Sequence, residues 1–390
     1  MAVQGNKRKE QWIQKLRLLI ITGILVLGGT FFALAAPGDG SSGLKTAGTG
    51  EPEGGPSQEL RGVWISYLDW EKLPADENGF KAGVDQILDR CVELKMNAVF
   101  VQVRPDADAM YPSEYFPWSR FVTGTQGKDP GYDPLAYFVQ AAHRRRLQFH
   151  AWINPYRVTG YLNRWNQVSE QSFVRQWLSD SDITNDRWVL KHNGEYYLNP
   201  AVEEVRWRII EGVREIVEHY DVDGIHFDDY FYVSGMADNV DTASRKSNVN
   251  ALVSQVYKAI KAIDPDCTFG ISPAGNPDNA RGQGADIDTW LSTPGYVDYI
   301  MPQIYWTDVY VTGKGAEQMF TNRCSAWQKI NKLDLPLYVG LALYRVGEKS
   351  KTDLGWSTSD TNLAYQYLTA RQLGYDGYAL FRYQWLEKDI

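Results

Sequence analysis

From residue 60 onward the apolar positions follow two alternating rhythms. Short runs rich in β-branched and aromatic residues fall at 62–66, 98–104, 148–154, 224–228, 268–272, 299–305, 337–342 and 377–382. Between them, apolar residues recur at helical spacing, most clearly over 80–94, 135–146, 202–219 and 249–263. Strand alternating with helix implies a parallel sheet, and eight repeats imply that the sheet closes. About 330 residues suit one elaborated barrel of this kind. The expected fold is therefore α/β, a (β/α)8 TIM-type barrel in a single domain over 59–390.

Within each strand-like run the two faces differ, because side chains alternate across a strand. Val99, Val101 and Val103 alternate with Gln102 and Arg104. Ala151 and Ile153 alternate with His150 and Asn154, and Ile225 and Phe227 with His226 and Asp228. Further on, Gln303 and Tyr305 share a face. One face of each run is apolar, and the other turns polar toward its C-terminal end. Burying an unpaired polar group costs about 1–3 kcal/mol, so four strands converging on polar groups predict a functional cavity. Catalytic groups of such barrels sit at that end of the strands. The most informative stretch is 223–232, DGIHFDDYFY, a strand that ends in two acids followed by aromatics.

The first 58 residues read differently. Lys7, Arg8, Lys9, Lys15 and Arg17 precede an apolar run over 18–36 that ends in Ala33-Leu34-Ala35. This pattern predicts, over 1–36, a cleaved signal peptide or an uncleaved N-terminal membrane anchor. Either places the body outside the cytoplasm, secreted or membrane-anchored. Residues 37–58, rich in Gly, Ser, Pro and Thr, read as a disordered linker. The chain carries −8, and residues 1–36 hold five basic groups and one acid, so the remainder carries −12. Such a body has no electrostatic reason to bind nucleic acid. Three cysteines without CxxC spacing, Cys91, Cys267 and Cys324, predict buried thiols rather than a disulfide framework or a zinc site. No phosphate-cradling motif occurs in the body, and no metal or cofactor is expected.

Four segments resemble the glycosyl-hydrolase-like family 10, exported bacterial barrels related to glycoside hydrolases: RGVWIS (61–66), VQVRPDADAMYPSEYFPWS (101–119), HAWINPYR (150–157) and DGIHFDDYFY. ISP (271–273) and MPQIYW (301–306) add to the likeness. The resemblance implies a barrel acting on glycans of the cell envelope, with peptidoglycan strands as the leading substrate. DGIHFDDY is also loosely similar to the DGxDxDxE signature of chitinase-type barrels. There His226 replaces an acid and Tyr230 stands where the proton-donating glutamate would be. An aspartate nucleophile, as in amylase-like barrels, fits better.

Asp228 is the expected nucleophile or acid/base, and Asp229 and Asp108 are the candidate partners, since glycosidases work with paired carboxyls. Asp106, Asp286, Asp288 and Asp308 are further acids near strand ends. Arg104, facing the lumen, is expected to bind a carboxylate or to hold Asp228 ionised, and His226 to orient Asp228. His150, Asn154, Tyr156, Arg157, Tyr230, Tyr305 and Trp306 complete the expected substrate-binding set. Tyr111, Trp118 and Tyr232 are expected to add flat faces for sugar rings. Trp64 and Trp152 read as core packing. The rival reading is a non-catalytic barrel that binds envelope polysaccharide. No sequence feature bears on oligomeric state.

Overall fold

The computed structural model describes residues 59–160, 164–236, 239–359 and 361–386. Eight parallel strands form one sheet: β1 (Leu60–Ile65), β2 (Ala98–Arg104), β3 (Gln148–Ile153), β4 (Gly224–Phe227), β5 (Thr268–Ile271), β6 (Tyr299–Ile300), β7 (Tyr338–Leu341) and β8 (Gly377–Leu380). Each pairs with its sequence neighbour, and β8 pairs with β1. Single parallel bridges, Ile300 to Leu337 and Gln303 to Gly340, close the ring between β6 and β7. The expected TIM-type barrel is the observed one. The sixth run is shorter than its sequence suggests, because Pro302 has no N–H to give to a ladder.

The helices include α1 (Glu77–Glu93), α2 (Pro134–Arg144), α3 (Glu203–His219), α4 (Thr242–Ile263), α5 (Pro277–Gly282), α6 (Met319–Ile330) and α7 (Asn362–Gln372). Side-chain caps start several of them: Asp76 accepts from Gly79 N, Asp133 from Ala136 N and Asp241 from Ser244 N. Two longer insertions, 105–133 after β2 and 154–202 after β3, rise on the C-terminal side of the barrel. The second contains a hairpin, Val189–His192 with Glu195–Leu198.

The barrel wall separates two apolar cores. The outer one lies between strands and helices and takes in Val99, Val101, Ile225, Phe227 and Ile271. The inner one fills the ring with Leu60, Trp64, Phe100, Trp152, Tyr299 and Met301. Glycine makes room for those rings. A Cβ on Gly270 would lie 2.0 Å from the Tyr299 ring, and one on Gly62 would lie 2.6 Å from Phe100. Cys91, Cys267 and Cys324 are buried free thiols, as expected. No described helix is long and apolar enough to cross a membrane; the expected leader and linker lie outside the described residues.

Candidate active site

Alternation along β4 sends Ile225 and Phe227 outward and His226 inward. The strand ends at Phe227, which frees the next two residues from strict alternation. Asp228 is 4% exposed. Its Oδ1 accepts from the Tyr230 backbone N–H at 3.2 Å and its Oδ2 from the Trp152 indole at 3.3 Å. Burial, and next the charge of Asp229, push its pKa up to about 8; Arg157 and the two hydrogen bonds pull the other way. Asp229 accepts from Gln303 Nε2 at 3.4 Å. Burial pushes its pKa up to about 6, against Gln303 and Arg157. Two coupled acids of this kind release their protons in separate steps. Both shifts favour the protonated form, so the pair keeps a proton to higher pH than ordinary carboxyls do.

Arg157 is the cation of the site. Its Nε donates to Asp106 Oδ1 at 2.9 Å and to the Pro105 carbonyl at 2.8 Å. Its guanidinium lies 5.4 Å from the Tyr67 ring centroid and 5.2 Å from that of Tyr230. Burial pulls its pKa down, but Asp106 and then Asp228 more than offset this, so it stays charged. Tyr230 is 42% exposed and offers an open aromatic face beside the acids. Tyr305 packs with Tyr344 and Phe381 and feels the charges of Asp229 and Asp228. On the β2–β3 side, Gln102 accepts from Tyr67 N at 3.0 Å and donates to Asn154 Oδ1 at 2.8 Å. That fixes the Asn154 amide and leaves its Nδ2 without a protein partner. A buried donor of this kind is suited to a sugar hydroxyl.

Several expected residues lie elsewhere. Arg104 does not face the lumen. The β2–β3 register shifts between Gln102 and Arg104, and such a bulge inverts the alternation. Arg104 is thereby turned under α3, 3.8 Å from the Phe116 ring centroid and against Gly212. His226 is fully buried in the inner core, and both its nitrogens are taken. Nε2 accepts from the Trp64 indole at 3.2 Å, so Nδ1 carries the proton toward Tyr299 Oη at 2.9 Å. It does not orient Asp228; Trp152 does. His150 stacks on Phe100 at 4.6 Å near the N-terminal end, where burial lowers its pKa to about 4. Tyr156 is buried in the outer core, as are Tyr111 and Tyr232.

Asp108 is fully buried and accepts from Gln126 Nε2 at 3.1 Å. Burial and then Asp106 push its pKa up to about 7. It braces the insertion instead of facing the mouth. Trp306 is half-buried, and its carbonyl accepts from Gln366. Asp286 and Asp288 are tied to Lys246, and Asp308 bonds Thr321 on α6. Trp152, Gln102 and Gln303 are site residues missing from the expected set, and Asp106, expected only as a further acid, pairs with Arg157. Trp152 was detectable, since it shares parity with His150 and Asn154. No group of His, Cys, Asp and Glu placed to hold a metal occurs among the described residues.

A parallel barrel with an acid pair, an aromatic-flanked arginine and an unpaired amide donor toward its C-terminal mouth has the build of a sugar-processing barrel. The comparisons agree with that class. The chain belongs to the glycosyl hydrolase-like 10 family, whose model matches residues 59–241 and 233–358. It is 36% identical to Glycosyl hydrolase YngK of Bacillus subtilis over 77% of this chain and 63% of the relative. It is 34% identical to Glycosyl hydrolase DigH of Escherichia coli K12 over 77% of this chain and 76% of the relative. The chain therefore spans less than two thirds of YngK. Among solved structures, the PgaB (BpsB) glycoside hydrolase domain of Bordetella bronchiseptica superposes with TM-score 0.55 at 15% identity, covering 83% of this chain and 94% of that domain. The endo-1,4-beta-mannanase of Rhizomucor miehei also scores 0.55, at 12% identity, over 85% and 88% of the two chains. These two likenesses concern the fold.

Proposed function

We propose that the protein is an exported glycoside hydrolase that cleaves glycan strands of the bacterial envelope, peptidoglycan strands first among them. The observation that carries the reading is the Asp228–Asp229 pair at the barrel mouth, Asp228 buried and Asp229 half-buried, retaining a proton to higher pH than ordinary carboxyls do. Asp228 donates that proton to the glycosidic oxygen as the bond from C1 to that oxygen breaks. Asp229, as the carboxylate, meets the positive charge growing at C1. C1 is then captured by Asp229 or directly by water, and the water that completes hydrolysis gives its proton to the Asp228 carboxylate. Trp152 and the Tyr230 N–H hold the Asp228 carboxyl in place and stabilise the carboxylate left after transfer. Arg157 keeps the acid cluster from accumulating uncompensated charge. Tyr230 and Tyr305 offer faces for sugar rings, and Asn154 a donor for a hydroxyl. Export rests on the basic-then-apolar leader, and the envelope substrate on the family resemblance.

The test is Asp228→Asn assayed on purified denuded glycan strands. Losing the proton donor should cut reducing-end release by about 10²–10⁴-fold with the melting temperature retained. Unchanged release from a folded variant overturns the role. Proton NMR of the first-formed anomer tells whether Asp229 or water attacks C1. The rival, a silent polysaccharide-binding barrel, is favoured by Tyr230 standing in the glutamate position; it would bind strands with no release by the unaltered protein.

A further inference from the structure

We infer that the groove between the two long βα insertions is a second saccharide site, which seats a further stretch of the glycan strand cut at the mouth. This rests on the glycan-acting reading above. The groove is a cavity of about 400 Å³ whose lining includes Tyr115, Trp118, Phe173, Gln171, Gln176 and Arg208. Beside it on α3, Trp207 is 51% exposed, with its ring 5.8 Å from Tyr115 in an edge-on pair. An indole left in water at the rim of an aromatic groove is a ready stacking platform.

Contacts within the protein brace the wall. Arg208 lies 4.3 Å over the Phe173 ring and 5.5 Å from Trp177, and donates to the Tyr115 carbonyl at 2.7 Å. Gln171 and Gln176 are exposed, and each carboxamide offers both a donor and an acceptor. Rings for the C–H faces of a sugar and amides for its hydroxyls are the chemistry a saccharide needs. Glu114 also lines the groove, and Glu211 acts on the Tyr115 hydroxyl; with the body at −12, this disfavours a nucleic acid. The insertions that form the groove also supply Asp106 and Arg157 to the mouth, so one strand can engage both places.

The experiment uses the full chain carrying Asp228→Asn, so that strands bind uncut, with and without Trp207→Ala. Affinity electrophoresis and calorimetry read binding to long denuded glycan strands and to a tetrasaccharide cut from them. Trp207→Ala should weaken long-strand binding about tenfold (one aromatic–sugar stack lost) and leave tetrasaccharide binding unchanged, and Trp207→Tyr should recover most of the loss. Equal long-strand affinity with and without Trp207, or an equal loss on both probes, overturns the second site. Circular dichroism melts confirm the fold of each variant. Because the readout is binding, absence of turnover in the unaltered protein would remove the hydrolase reading and leave this one standing.

Discussion

Both ends of the barrel are rich in polar side chains at strand termini, but the two sets have different partners. At the N-terminal end, a side chain just before every second strand caps the neighbouring strand's backbone. Asn97 accepts from Arg61 N at 2.7 Å, Asp223 from Phe149 N at 2.7 Å, Asp298 from Phe269 N at 2.7 Å and Asp376 from Leu337 N at 2.9 Å. Two of them have a further partner: His143 Nε2 lies 2.9 Å from Asp223, and Lys261 lies 2.9 Å from Asp298. A cavity of about 320 Å³ opens there, yet its deepest acids are already satisfied. At the C-terminal end, Asp228 is buried and Asp229 half-buried, both have few donors and repel one another, and their pKa values rise. The lesson is that burial makes a carboxyl reactive only where hydrogen-bond donors are too few to hold its charge. Two residues along one strand show the same contrast. His226 has spent both nitrogens inside the ring, while Asp228 keeps an exchangeable proton at its rim.

Substitutions at the two ends should therefore separate activity from stability. After Asp228→Asn itself, the largest effect is expected from Asp229→Asn, which removes the partner carboxylate. The rate of strand cleavage should fall by about 10²–10³-fold, with little change in melting temperature. Residual activity should also lose its alkaline limb at lower pH than before, because the Asp229 charge no longer raises the Asp228 pKa. A variant that melts early and keeps its specific activity would put Asp229 with the structural acids.

Inside the ring, His226→Ala opens a cavity and orphans the Trp64 indole and the Tyr299 hydroxyl. It should cost about 3 kcal/mol of stability in denaturant melts, with the pH optimum unmoved. A shifted pH profile in folded protein would mean that the inner layer reaches the acids after all.

Trp152→Phe is smaller and more diagnostic. The ring stays, but the donor to Asp228 Oδ2 is lost, so the protonated form gains and the alkaline limb should move up. The loss in rate should be about tenfold, the worth of one hydrogen bond to a charged group. No movement of the limb would reduce Trp152 to packing. The mildest test leaves the sequence alone. Activity should peak between limbs near pH 6 and pH 8, since the acid pair needs one proton. A flat profile across that window would remove the pair from the mechanism.

Much of the architecture was legible in the residue pattern. Eight apolar runs fall where the strands are, and the acids after Phe227 fall at the mouth. What misled were features that depend on neighbours. The parity of Arg104 points into the lumen, but one bulge, invisible in the letters, turns it under α3. His226 keeps the parity it promised, yet the depth at which the aromatic plug ends comes from Trp64 and Tyr299, distant in the chain. Asp108 sits inside the best-matching motif and is nonetheless enclosed by Gln126 from farther along its own insertion.

By itself, then, the order of residues determined the alternation of strand and helix, the direction in which Asp228 leaves its strand, and the family to which the chain belongs. Each depends on local periodicity or on contiguous motifs, which are properties of neighbours in sequence. Which carboxyls are satisfied and which are left with a mobile proton was decided only when β1, β3, β4 and β6 came together. The energy of a buried charge depends on the donors around it, and those donors arrive from chain positions that no local pattern connects.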